Sequence, residues 1–199
     1  MRNLALATVL AVALTACSVP ADAPSPTPSA SPSASVTASP SATAESGFAV
    51  ASPDFADGDE LADWATANAY NGQCVGDNDN PALEWSNAPE GTKAYAITLI
   101  DRGGGNYIHW VHIDIPGDVT QVARGASDEL PGAEGATDET PGYFGPCPPG
   151  ADHRYEFTVY ALDAPLGLEE GADFVSVKNA IDEHELAEAS ISGMRSGPA

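Results

Sequence analysis

Two histidines and one carboxylate are the side chains of this sequence that could most readily bind a ligand or move a proton. Asp101 precedes His109 by eight residues, and His153 follows a glycine- and proline-rich stretch, GYFGPCPP, at 142–149. Both nitrogens of an imidazolium ring donate hydrogen bonds, and the ring changes its charge near neutral pH. A carboxylate beside a histidine orients the ring and favours its charged form. These residue types are typical of a site that holds an anion or transfers a proton.

Each of these residues also has a plainer interpretation when it is taken alone. His109 lies in an otherwise apolar pattern, where a buried histidine with satisfied hydrogen bonds is an ordinary core residue. Tyr155 continues the apolar face of Phe157 and Val159, which is consistent with a place in the core. Arg154 points to the opposite side of the same strand and is predicted to form a structural ion pair.

Alternation of apolar and polar residues predicts the strands that position these side chains. Four runs are rich in β-branched and aromatic residues and are bounded by Gly, Pro and Asp: Leu83–Ser86, Ala94–Asp101, Tyr107–Ile115 and His153–Leu162. In the third run, strict alternation puts His109 on one face with Val111, Ile113 and Ile115. The connection at 117–143 is long, and loops of that length are often functional or mobile.

Helical periodicity is confined to the end of the chain. Phe174, Val177 and Ile181 follow a spacing of three and then four residues, which predicts one helix. A second short helix is predicted over Glu183–Ala189. The fold class expected from these patterns is mainly β, a sandwich with one or two short C-terminal helices.

The first 17 residues have the organisation of a bacterial lipoprotein signal. A basic start precedes an apolar run, Leu4–Ala16, that is shorter than the roughly 20 residues needed to span a bilayer. The run ends in Leu-Thr-Ala-Cys at 14–17, which resembles the lipobox. The resemblance implies that residues 1–16 are removed and that lipid on Cys17 anchors the protein to the membrane, on the extracytoplasmic side of the cell envelope. The alternative is an ordinary cleaved signal with an incidental cysteine.

A low-complexity segment separates this signal from the rest of the chain. Of the 29 residues at 18–46, 25 are Ser, Pro, Ala or Thr. Such a composition cannot bury enough apolar surface to offset the loss of conformational entropy on folding. We therefore expect a disordered tether over 17–46 and one folded domain over 47–199.

The charge balance excludes several classes of partner. The chain has 7 Lys and Arg against 29 Asp and Glu, a net charge of −22, and 27 of the acidic residues lie from residue 47 onward. A protein that binds nucleic acid needs a basic face, and adhesion to anionic lipid needs a basic cluster. We expect no nucleic-acid partner and no membrane attachment other than the lipid anchor.

The three cysteines indicate one crosslink. If Cys17 carries lipid, Cys74 and Cys147 remain as a pair in an oxidising compartment, and a disulfide between them would close a loop of about 72 residues. The alternative is two free, buried thiols. Neither cysteine belongs to a Cys-x-x-Cys pair, so zinc is disfavoured, and no cofactor is indicated.

Motifs of several enzyme classes are incomplete or absent. The sequence at 184–188 starts like a zinc protease helix but lacks the second histidine, and 77–81 starts like a calcium loop but has proline within the turn. No Gly-x-Ser-x-Gly elbow and no phosphate-binding loop of the Walker type occur in the chain. The acidic run at 54–60 is predicted to be a solvated turn.

Three blocks in one order resemble the phosphatidylethanolamine-binding protein family, in its bacterial branch often described as Raf kinase inhibitor-like. They are NPALEW at 80–85, the Asp101 to His109-Trp110 spacing followed by Ile-Pro-Gly at 115–117, and GYFGPCPP followed by His153-Arg154-Tyr155. The resemblance covers nearly all of 47–199.

The resemblance implies two antiparallel sheets with a small pocket at one end that binds phosphate-like or carboxylate-like anions. The pocket positions carried over to this sequence are Asp101, His109, Pro148, His153 and Tyr155. Because the histidines would bind an anion in their protonated form, affinity is predicted to fall as the pH rises through about 6 to 8.

One departure from the family concerns the loop after Asp101. Relatives usually have Asp-Pro-Asp-Ala-Pro where this chain has Asp-Arg-Gly-Gly-Gly at 101–105, so a second carboxylate is missing. The expectation from sequence is either an altered preference for anions or a decayed site.

Three classes of function follow from these observations. The favoured one is a binding module, not an enzyme, whose partner is a small anionic ligand or phospholipid headgroup, with a protein partner also open. The second is a hydrolase or inhibitor that uses the histidines as acid and base, although no activated nucleophile is visible. The third is a structural lipoprotein with a vestigial pocket.

Overall fold

The computed structural model describes residues 47–134, 142–169 and 171–197. The predicted signal, Cys17 and the tether lie outside the described residues. The strands are β1 Ala49–Ala51, β2 Leu83–Ser86, β3 Ala94–Asp101, β4 Tyr107–Pro116, β5 Gln121–Val122, β6 Ala133–Glu134, β7 His153–Leu162 and β8 Glu185–Arg195. The helix α1 spans Phe174–His184, and single 3-10 turns lie at Asp63–Ala65, Tyr70–Gly72 and Ser127–Glu129.

The strands form two antiparallel sheets, which confirms the expected mainly β fold. The smaller sheet has the order β1-β2-β5, and the larger has the order β6-β4-β3-β7-β8. The central strand β3 is buried at all eight residues because it has a neighbour on each side and a packed layer on each face. A strand in that position needs apolar side chains on both faces.

Two apolar layers cover the faces of the larger sheet. Trp85 of the smaller sheet packs with Tyr95, Leu99 and Phe157 in the core of the sandwich. On the opposite face, a second cluster is closed by the helix α1. The predicted apolar face of β7 is confirmed. It faces the sandwich core and consists of Tyr155, Phe157, Val159 and Ala161.

The helix α1 has the face and the start that its sequence predicts. Val177 and Ile181 are completely buried against the larger sheet, and the Asp173 side chain caps the helix by accepting from the backbone N–H of Ser176. Among the described residues, no helix combines the length and the apolar character needed to cross a membrane.

The second predicted helix, over Glu183–Ala189, is wrong. α1 ends at His184, and the chain continues directly into β8, which pairs along the whole of β7 from Leu162 to His153. Alanine and glutamate favour a helix locally, but the free edge of β7 supplies backbone partners. Burial of Ile191 in the sandwich core adds to that preference.

The predicted face of β4 is also wrong at its two ends, because the strand contains two β-bulges. Leu99 and Ile100 of β3 pair with Trp110 and Ile108 of β4, so that His109 is an extra residue. A second irregularity near Asp114, whose φ is +58°, moves Ile115 to the sandwich core. Bulges re-aim side chains that strict alternation would place elsewhere.

Candidate anion site

Strand pairing brings the two histidines to one end of the larger sheet. Asp101, the last residue of β3, lies opposite Tyr107 of β4 and Tyr155 of β7. His109 and His153 are each two residues from those partners, on either side of Asp101. A cleft of about 200 Å³ opens there, lined by Tyr70, Asp101, Gly104, Tyr107, His109, Phe144, Cys147, Pro149 and His153.

Both oxygens of the Asp101 carboxylate accept hydrogen bonds from the protein. Its Oδ1 accepts from the backbone N–H groups of Gly103 at 2.9 Å and Gly104 at 2.7 Å. Its Oδ2 lies 2.7 Å from Nδ1 of His153, and only 4% of the residue is exposed. Asp101 therefore orients His153 and closes the loop after β3.

The imidazole of His153 is held by one of its two nitrogens. Because a carboxylate accepts, Nδ1 carries the proton of the bond to Asp101. The side chain lines the cleft, and Nε2 is the nitrogen that remains for a ligand. The neighbouring Arg154 pairs with Glu156 at 3.4 Å on the other side of the strand, as its position predicts.

His109 is held in a similar way by a backbone carbonyl. Its Nδ1 lies 2.7 Å from the carbonyl oxygen of Phe144, which can only accept, so Nδ1 carries a proton. The ring stacks on that of Phe144 at 5.6 Å and meets those of Tyr107 and Tyr155 edge-on. Burial lowers the pKa of His109, and the Phe144 carbonyl and the Asp101 charge offset this only in part. At neutral pH the ring is uncharged, and Nε2 is a hydrogen-bond acceptor.

Tyr155 and Pro148, which the resemblance placed in the pocket, do not line the cleft. Tyr155 is completely buried beneath the two imidazoles, 5.2 Å from the ring of His109 and 6.3 Å from that of His153. Burial, and then the charge of Asp101, raises its pKa. Pro148 borders a separate hollow beside Arg195.

Residues 51–196 match the sequence model of the family described as "Phosphatidylethanolamine-binding protein". The chain belongs to this family. It is 36% identical to the UPF0098 protein YbhB of Escherichia coli over 155 residues, which is 72% of this chain and 96% of YbhB.

Two further similar proteins are a relative that is named as a lipoprotein and a solved structure. LppC of Mycobacterium tuberculosis, provisionally named a lipoprotein, is 33% identical over 160 residues, 78% of this chain and 76% of LppC. The crystal structure of Escherichia coli YbcL, described as a new member of the mammalian PEBP family, superimposes with a TM-score of 0.70. It is 28% identical, and the alignment covers 77% of this chain and all of YbcL.

The triglycine loop, in which this chain departs from the usual pattern of the phosphatidylethanolamine-binding proteins, has a defined role in the structure. A Cβ atom on Gly103 would lie 2.9 Å from Cα of His153, and one on Gly104 would lie 2.4 Å from Oδ2 of Asp101. Only glycine permits the loop to approach both partners so closely. The loop replaces a second carboxylate by two backbone donors aimed at Asp101, and the Asp101–His153 pair is formed.

An aromatic rim, which sequence reasoning missed, surrounds the imidazoles of this family member. It consists of Tyr70, Tyr107 and Phe144. Phe144 lies within the GYFGPCPP block and could have been found there. Tyr70 has no motif around it, and 53% of the residue is exposed at the edge of the cleft.

A disulfide brings Tyr70 to the rim. Cys74 and Cys147 are joined, with their Cα atoms 5.8 Å apart. The backbones of Ala69 and Cys74 exchange two hydrogen bonds, so that Tyr70 lies at the tip of a tight turn. The crosslink therefore attaches this turn to the proline-rich segment, and the Tyr70 ring meets that of Phe144 edge-on at 6.3 Å.

The lowered pKa of His109 predicts how the stability of the domain depends on pH. Because the unfolded chain binds this proton more readily than the native protein, the free energy of unfolding should decrease as the pH falls below about 6.5. In His109→Gln the free energy of unfolding should depend less steeply on pH, with a slope smaller by at most about 1.4 kcal/mol per pH unit. Urea unfolding at several pH values measures both slopes, with His184→Gln on α1 as the control. Equal slopes for His109→Gln and wild type would contradict the prediction.

Proposed function

We propose that this protein is a lipid-anchored binding protein of the cell envelope that holds a small anionic group, phosphate or carboxylate, between His109 and His153. The observation that supports it best is the shared orientation of the two rings. Each uses Nδ1 for a fixed partner of the protein, Phe144 or Asp101, while its side chain lines one cleft. The Nε2 atoms are thus left for a common ligand.

The dyad of His153 and Asp101 supplies the charge in this proposal. In its imidazolium form His153 donates Nδ1–H to Asp101 and Nε2–H to the anion, and charge-assisted bonds of this kind are stronger than neutral ones. Burial moves the protonation of His109 to lower pH. His109 therefore contributes little positive charge to the site at neutral pH.

The size of the cleft limits the ligand to a headgroup or a small ion. At about 200 Å³, the cleft is smaller than the pockets that enclose drug-sized molecules, which start near 300 Å³. The larger part of any lipid would have to remain outside.

The acidity of the domain argues for weak binding with little salt dependence. A free anion is repelled at long range by 27 carboxylates against six basic residues from residue 47 onward, and salt screens this repulsion. Affinity should be micromolar or poorer, and it should not decrease steeply with salt as it does in a basic site.

Binding accounts for the cleft better than catalysis. Among the residues that the structure describes, its lining includes no Ser, Thr or Lys, and the sulfur of Cys147 is in the disulfide. A hydrolase would have to rely on the two imidazoles alone as acid and base. Incubation with p-nitrophenyl phosphate tests that alternative, and turnover lost in both His109→Ala and His153→Ala would favour it.

Removing His153 should weaken the binding of phosphate by about 10- to 100-fold. This is the range for the loss of a hydrogen bond to a charged group, about 1.5–3 kcal/mol. Calorimetric titration of inorganic phosphate into wild type and His153→Ala measures it, with His184→Ala as a surface control. If phosphate does not bind wild type at millimolar concentration, the anion-binding proposal fails.

The lipid anchor has its own test, independent of the cleft. Cys17→Ser should move the protein from the membrane fraction to the soluble fraction or leave the signal unprocessed, because the lipid is attached to that sulfur. Fractionation of cells followed by immunoblotting measures the distribution. Unchanged membrane association of the variant would contradict the anchor.

A further inference from the structure

We infer that the cleft selects a phosphate group that retains one hydrogen, as a monoester or inorganic phosphate does, over a phosphodiester, which has none. The inference rests on the proposed function and adds a ligand class to it. It follows from the polarity of the hydrogen-bonding atoms that line the cleft.

His109 presents an acceptor to the ligand. The Phe144 carbonyl, 2.7 Å away, requires a proton on Nδ1, and a neutral imidazole has only one. The ring is 4% exposed and enclosed by Phe144, Tyr107 and Tyr155, surroundings that disfavour a second proton. An oxygen without hydrogen placed against Nε2 would meet a lone pair, whereas a P–OH group would donate to it.

His153 presents the opposite polarity when an anion is bound. Its Nδ1–H is committed to Asp101, so Nε2–H of the imidazolium is the donor for an anionic oxygen. One donor and one acceptor across a small cleft complement a phosphate with one P–OH and one P–O⁻. A diester monoanion has the P–O⁻ and lacks the P–OH.

Apart from the hydroxyl groups of Tyr70 and Tyr107 at the rim, the described residues that line the cleft supply no further donor. The backbone N–H groups of Gly103 and Gly104 both point to Asp101. Neither lysine nor arginine is among the lining residues of the described chain, and Arg102 pairs with Glu156 at 2.6 Å. A doubly charged phosphate would therefore find one imidazolium and one buried carboxylate, a setting that favours the singly charged form.

Two isomeric ligands test this inference on the full-length protein. Ethyl phosphate and dimethyl phosphate contain the same atoms, but only the first keeps a P–OH group. Calorimetry at about pH 6.5, where a monoester still has a monoanion fraction, should show at least tenfold tighter binding of ethyl phosphate. Equal affinities would overturn the inference while leaving anion binding intact, and no binding of either ligand or of inorganic phosphate would remove the proposed function itself.

The variant His109→Gln tests whether His109 causes the preference for a phosphate monoester. A glutamine amide can donate as well as accept, so His109→Gln should reduce the preference for ethyl phosphate to less than threefold while inorganic phosphate still binds. An unchanged tenfold preference in a variant with wild-type thermal unfolding would place the selectivity elsewhere and overturn the inference.

One further ligand distinguishes the sources of a phosphate monoester. Dihexanoyl phosphatidic acid carries the group on a lipid, and inorganic phosphate carries it free. Tighter binding of the lipid would assign the site to a membrane headgroup, and binding of inorganic phosphate alone would assign it to a soluble ligand.

Discussion

Replacing Cys74 and Cys147 by serine is expected to lower the free energy of unfolding by about 4 kcal/mol. The crosslink spans a sequence separation of 73 residues, and on the chain-entropy model a loop of that length restricts the unfolded chain by about this amount. Urea unfolding of wild type and of the double variant measures the difference. Wild type in excess reductant should unfold like the variant, which separates loss of the bond from the effect of the serines.

The same crosslink can be tested by mass. Native protein that is alkylated without reductant should contain neither Cys74 nor Cys147 in labelled form, since both sulfurs are in the disulfide. Two labelled cysteines in the domain would contradict the assignment.

In the double variant we also expect weaker phosphate binding, because the turn that carries Tyr70 loses its covalent attachment to the proline-rich side of the cleft.

Gly103→Ala is expected to weaken phosphate binding at least tenfold and to destabilise the domain by about 1–3 kcal/mol, the usual cost of an extra methyl group at a tightly packed position. The added Cβ would lie 2.8 Å from Cγ and 2.9 Å from Cα of His153, and backbone of β7 has little room to move. Displacement of the ring would break its bond to Asp101, on which the orientation of the Nε2 donor depends.

Gly150→Ala provides the matched control. A Cβ at Gly150 would have no atom within 4 Å, and its φ lies outside the positive range that disfavours side chains. Calorimetry and thermal unfolding of both variants separate loss of the site from general destabilisation. Wild-type affinity in Gly103→Ala would show that the close approach of the loop to His153 is not needed for binding.

The local sequence pattern alone predicts the strands whose side chains can be buried in only one way. The bounds of β2, β3 and β7 agree with the prediction, because apolar side chains there fill one face or both faces of a sheet that lies between two packed layers. The strand β8 was not predicted because its alanines and glutamates favour a helix. A strand becomes more favourable there because its backbone pairs with the free edge of β7.

In the candidate site, the residue types could be predicted from the sequence and their geometry could not. The residues that we propose carry its chemistry, Asp101, His109 and His153, were predicted from the sequence, because few other residue types can hold a proton at neutral pH and the motif blocks isolate them. Their geometry was not evident, because a bulge in β4 aims His109 and a glycine loop closes on Asp101.

The rim and the polarity of the cleft depend on contacts between distant parts of the chain. Tyr70 lies at the cleft because the bond between Cys74 and Cys147 and a ring contact with Phe144 hold its turn there. Nε2 of His109 is the nitrogen left for a partner because the Phe144 carbonyl holds Nδ1. The sequence alone determined which hydrogen-bonding groups are present. The tertiary structure decided which atoms of those groups remain unpaired, because a donor or acceptor can bond only to a partner that folding brings within reach.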